Sequence, residues 1–231
     1  MNFFESVPQP PPPQPPKRAP RRSWMRPETM IPGSVAAEAL LVSTEAAAVA
    51  VGSLRAYPNG FEFTVHVRQR GEDDDFAHGL ADPFGRNPRT RGAAEPDQSL
   101  RLGILYADGR RAAIDGGHRH FSDPVAPDEL VLMHGGSSGS DYRWDGDFWV
   151  HPLPPAGPVT FVASWLAKGI TEARAQVDGA AISVAASHAV ELWPDDPDSE
   201  PTSGWSSSMA IAVDPDPEAP PPGLGRGDTS T

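Results

Sequence analysis

Cysteine is absent from the chain, which excludes a disulfide framework, a thiol nucleophile and any cysteine-ligated zinc site. Long apolar runs are absent too. None approaches the roughly 20 residues a membrane helix needs, and the opening "MNFFESVPQPPPPQPP" lacks the basic start and apolar stretch of a secretory signal. A cytoplasmic location is therefore the expectation. Positive charge is scarce, with 19 Lys and Arg against 31 Asp and Glu and a formal net charge of -12. Such a balance argues against broad contact with nucleic acid or an anionic membrane, because phosphate binding needs a basic surface. Helical periodicity is scarce as well, and no cofactor-binding motif is evident.

What is plentiful is proline, and its placement divides the chain. Residues 1–27 carry nine of the 28 prolines, with Lys17, Arg18, Arg21, Arg22 and Arg26 against Glu5. Residues 194–231 carry eight more, with Asp195, Asp196, Asp198, Glu200, Asp214, Asp216, Glu218 and Asp228 against Arg226. Segments of this kind bury too little apolar surface to offset their ordering entropy. Both are expected to be disordered tails around a single domain at 28–193.

Within that domain, alternation with a period of two dominates. In "FEFTVHVR", Phe61, Phe63, Val65 and Val67 face one way while Glu62, Thr64, His66 and Arg68 face the other, which marks a half-buried antiparallel strand. The preceding "YPNG" is a turn signal that joins it to the apolar run 46–56 as a hairpin. "LRLGILYADGRRAAI" repeats the device around Asp108-Gly109. Further strands fit 37–43, 129–133, 141–151, 158–166 and 170–177. The expectation is a mainly antiparallel β-sandwich of about seven to nine strands. One helix, 179–192, follows a cap at Asp178, places Ile182, Ala185, Ala186, Ala189 and Trp193 on one face, and stops at Pro194. Residues 71–99 have no period and read as a long polar loop, functional or disordered.

Three stretches suggest chemistry. In "ELVLMHGGSSGSDYRW", the letters G-x-S-x-G at 135–139 follow His134, as at a hydrolase nucleophile elbow. An elbow needs a strand, a tight turn and a helix, and the following "SDYRWDGDFWVHPLPPAGP" cannot supply the helix. A Gly/Ser hairpin loop is the better reading, with a hydrolase using Ser137 or Ser138 and His134 as the alternative. In "DGGHRHFSD", His118 and His120 would share a strand face and could bind zinc or copper with Asp115 or Asp123. A polar turn explains them better, because a spacing of two between histidines is common outside metal sites. Glu72, Asp73, Asp74, Asp75 and His78 could hold a hard cation but lack the spacing of a calcium loop.

The third stretch is "DYRWDGDFWVH". As a strand it sends Tyr142, Trp144, Phe148 and Val150 inward, and Asp145, Asp147, Trp149 and His151 outward. Carboxylates around an exposed indole would suit a polyhydroxylated or cationic ligand. The competing reading packs Trp149 under the helix or the long loop as part of the core. The N-terminal "PQPPPPQPPKRAPRR" favours polyproline II and reads either as a stiff spacer or as a ligand for aromatic-grooved domains. Without a coherent catalytic set, the function expected is non-enzymatic binding or protein interaction, with a protein or a saccharide as partner.

Taken together, "FFESVPQPPPPQPP", "LRAYPNGFEFTVHVR", "LRLGILYADGRRA", "DFWVHPLPPAGPVTFVASWLAKGI" and "HAVELWP" resemble a β-rich protein family of high-GC actinobacteria. The resemblance implies one β-rich domain with a variable segment at 71–99. It supplies no activity, cofactor or catalytic residue.

Overall fold

The computed structural model describes residues 22–70, 83–85, 99–114, 125–126, 128–140 and 142–194. The proposed tails from 1 to 21 and 195 to 231, most of 71–99, and His118 and His120 lie outside these. The element order is β1 (Met30–Ile31), β2 (Gly33–Ser34), β3 (Ala39–Ser43), β4 (Ala47–Tyr57), β5 (Gly60–Gln69), β6 (Arg101–Leu105) and β7 (Arg111–Ile114). It continues with β8 (Val131–Ser140), β9 (Arg143–His151), β10 (Pro158–Trp165), β11 (Ile170–Asp178), α1 (Gly179–Ser187) and β12 (Val190–Glu191). The fold is an antiparallel β-sandwich with one helix, as the alternation predicts. One sheet runs β2-β4-β5-β9-β8 with β3 also on β4; the other runs β11-β10-β6-β7; β1 and β12 form a short ribbon.

The inward residues of β5 explain why the sheets stay together. Phe61, Phe63, Val65 and Val67 are all buried. Phe63 stacks on Phe148 of β9 and meets Phe161 of the opposite sheet edge-on at 4.9 Å. Offset and edge-to-face pairs of this kind exceed the stabilisation from buried area alone. Phe84, from within the 71–99 segment, is buried and packs edge-on against Trp144 and Phe148, so that segment contributes an apolar anchor.

Three expectations change in the structure. The helix is shorter, ending at Ser187, although Asp178 caps it by accepting from the Ala180 amide at 2.9 Å. Val190 and Glu191 leave it to pair with Ile31 and Met30, and Trp193 is exposed. The expected Gly/Ser loop at 135–140 is instead the second half of β8, paired to β9 through Ser137↔Gly146, Ser138↔Asp145 and Ser140↔Arg143. Glycine and serine carry too little side chain to advertise a strand; the partner sets the register. Finally, Arg22–Pro27, read with the N-terminal tail, pack on the domain, and Trp24 is buried.

Gly146 is a steric requirement. A Cβ there would overlap the indole of Trp144, two residues back on the same inward face. Gly146→Ala should therefore destabilise the fold by about 1–3 kcal/mol, the usual range for overpacking a closed core. Chemical denaturation that shows no loss would contradict this packing.

Candidate functional site

The outward face of β5 and β9 carries the polar residues. Register places Glu62 opposite Trp149, Thr64 opposite Asp147, His66 opposite Asp145 and Arg68 opposite Arg143. The face has two distinct ends.

At the Arg68 end the side chains are partly open to solvent and fix one another. Asp145 Oδ1 lies 2.7 Å from His66 Nδ1 and accepts from Arg68 Nη1 at 2.8 Å, and Oδ2 is 3.2 Å from Arg143 Nε. Burial pushes the Asp145 carboxyl up, but hydrogen bonds from His66 and Arg68 outweigh it and hold the pKa below the usual carboxylate range. The remaining imidazole nitrogen of His66 points toward Gly52, where a Cβ would come within 3.2 Å of it. Gly52 begins a bulge in β4 that shifts the register before Arg55, with Ser53 at φ 52°. Thr64 donates to Asp147 at 2.7 Å.

At the other end the same face is closed by Arg22–Arg26, which lies across it. Three consecutive carbonyls of this strap accept from side chains of the sheet and its turn. Asn59 Nδ2 donates to Ser23 at 2.8 Å and to Met25 at 2.7 Å, and Trp149 Nε1 donates to Trp24 at 2.9 Å. Arg26 Nη1 donates to Glu62 Oε2 at 2.7 Å, while Arg55 Nε at 2.7 Å and the Tyr57 hydroxyl at 3.1 Å reach Oε1. Glu62 is only 2% exposed, so three donors satisfy a carboxylate that water cannot. Burial first, and then the charge of Glu62, push the Tyr57 hydroxyl up to about 12.

The four residues expected to form a ligand patch thus separate. All project from the outward face as the alternation requires. Asp145 and Asp147 belong to the open end. Trp149 is 1% exposed, with Tyr57 edge-on at 5.6 Å, and His151 is buried, its Nδ1 donating to the Asn59 carbonyl at 2.7 Å. The indole is covered by the strap, not by the helix, and offers no exposed platform. Of the hydrolase set, His134 faces inward, buried between Trp144 and Phe148. Ser138 lies opposite Asp145 on the outward face, and Ser137 lies opposite Gly146 on the same face as His134. All three sit on one strand of a hairpin, so no elbow forms.

Among the described residues, no group of three or more His, Asp or Glu could hold a metal ion, and no helix is long and apolar enough to cross a membrane. Sequence reasoning missed Trp24, Arg26, Asn59 and Glu62. The available signal was a Trp-Met pair interrupting a proline- and arginine-rich segment. No family model, curated protein or solved structure matches the chain.

Two predictions follow from the closed end. Trp149→Ala should cost about 3–5 kcal/mol of folding free energy, the range for truncating a fully buried tryptophan, measured by urea denaturation. The second concerns alkaline pH. An unfolded tyrosine ionises near pH 10, whereas folded Tyr57 holds its proton to about 12. Between these values the unfolded state binds fewer protons, so stability should fall as pH rises from about 10 to 12. Tyr57→Phe should flatten part of that decline; an unchanged profile would show that Tyr57 is not held protonated.

Proposed function

We propose that the chain is a non-enzymatic protein-interaction module working through the outward face of β5 and β9. The observation that carries this reading is the fixed row His66, Asp145, Arg68 and Arg143, whose side chains are held by each other before any partner arrives. Preorganised polar groups lose less entropy on binding than free ones. Asp145 is held by three neighbours, and its one carboxylate cannot neutralise both half-exposed guanidinium heads, Arg68 and Arg143, which leaves a net positive charge accessible there. A protein segment presenting carboxylates complements them. A saccharide is disfavoured because Trp149, the indole that would stack on a sugar ring, is covered.

The test is an array of acidic peptides probed with wild-type protein and with Arg68→Ala/Arg143→Ala. Retention of acidic peptides by the wild type is expected, falling at least tenfold for the double variant at unchanged melting temperature, and weakening with salt. No retention by the wild type, or equal retention by both, would refute the reading. Covalent labelling of Ser137 or Ser138 by a fluorophosphonate would overturn its non-enzymatic part.

A further inference from the structure

The closed end of the face does to Arg22–Arg26 what a peptide-recognition domain does to its ligand. Among the described residues, the strap forms no ladder with β5 or β9. Its main chain is read by side chains, through two hydrogen bonds from Asn59 and one from Trp149 to successive carbonyls. Contacts to carbonyls accept any sequence; two further contacts select one. Trp24 is buried against the face, with Arg22 stacked over its ring at 5.7 Å, and Arg26 pairs with the buried Glu62. Together these specify an indole followed two positions later by a guanidinium.

We propose that the groove over Asn59, Glu62 and Trp149 is a binding site for a Trp-x-Arg segment of another protein chain, and that residues 22–26 are its exchangeable occupant in cis. Two observations favour exchange over a permanent seal. The first is what stays behind. If Arg26 leaves, Glu62 keeps Arg55 and the Tyr57 hydroxyl, so the vacated carboxylate is not stranded as an unpaired buried charge. The second is what the strap fails to do. Asn59 Oδ1 is buried and has no hydrogen-bond partner among the described residues, although both hydrogens of the same amide are used. A buried acceptor left unmatched weakens the cis complex. A peptide offering a donor at that point binds better than the resident segment.

This inference rests on the outward face being an interaction surface, but its readout depends on Trp24, Arg26 and Glu62 and not on Arg68 and Arg143. The experiment uses the full chain. Trp24→Ala/Arg26→Ala vacates the groove, and binding of a fluorescein-labelled peptide with the sequence of residues 21–27 is followed by anisotropy. The vacated chain should bind at least tenfold more tightly than wild type. Replacing the second arginine of the peptide's Arg-Ser-Trp-Met-Arg by alanine should weaken binding at least tenfold, and Glu62→Gln in the vacated chain should abolish that preference. Equal binding by wild type and vacated chain, or no preference for arginine, would overturn the proposal.

If the vacated chain does not fold, a protease site inserted after Pro27 of the otherwise wild-type chain decides the matter. After cutting, the fragment ending at Pro27 should leave on dilution while near-ultraviolet circular dichroism of the sandwich persists. A fragment that stays bound through gel filtration, or that leaves only with unfolding, would refute exchange. Peptide exchange retained alongside failed acidic-peptide binding would sink only the broader reading of the Arg68 end.

Discussion

The structure depends on β5 being buried on both faces over its first half. Its inward side chains, Phe61 and Phe63, join the two sheets through Phe148 and Phe161. Its outward side chain at the same level is Glu62, which is as buried as the aromatic core. A carboxylate removed from water must be paired and hydrogen-bonded or it opposes folding. Arg55 is supplied from β4 through the β4–β5 register, and Tyr57 from the end of the same hairpin. The third donor, Arg26, comes from a segment far away in sequence. The polar outward face of an ordinary sandwich strand thereby becomes the floor of a second, smaller interface.

Exposure then grades along the strand. The side chain at Glu62 is 2% exposed, that of His66 33% and that of Arg68 45%. Where water is excluded, the one carboxylate, Glu62, has three partners. Where water enters, Arg68 and Arg143 share Asp145, and screening makes each ion pair weak in stability terms. The gradient assigns different roles to the two ends. The closed end holds structure and is where the proposed segment would be selected, whereas the open end presents charge to solvent in side chains already fixed by one another.

Alternation made the strands legible, because a side-chain period of two is a direct consequence of the pleat. It also gave the outward direction of Asp145, Asp147, Trp149 and His151 correctly. It could not say what lies on that outward face. Periodicity reports which side a residue is on, and exposure depends on what the rest of the chain brings there. Trp149 is covered by residues 125 positions away, through a bond to the Trp24 carbonyl. The strap itself is short and aperiodic, and in composition it belongs with the proline-rich segment before it. Gly135–Ser140 escaped notice for a different reason. With so little side chain, the pairing of that half-strand is dictated by β9, whose aromatic residues fix its register.

The choice of a carboxylate at position 62 is itself informative. For stability alone a well-packed apolar side chain facing Trp149 and Tyr57 would serve as well or better, because desolvating an ion pair consumes much of its Coulombic gain. An apolar floor, however, would accept any hydrophobic segment in any register. In the proposed groove Glu62 favours an occupant with a cation at the position of Arg26, while Arg55 and the Tyr57 hydroxyl keep the carboxylate paired without one. Asn59 adds a fixed spacing by bridging carbonyls two residues apart, and Trp149 fills the interval between them with its single donor. Three donated hydrogen bonds and one buried carboxylate therefore specify the direction, register and terminal charge of the segment they hold. A cover needed only to exclude water would require none of these restrictions, and their presence in one place is the physical reason to regard this end of the sheet as a recognition surface.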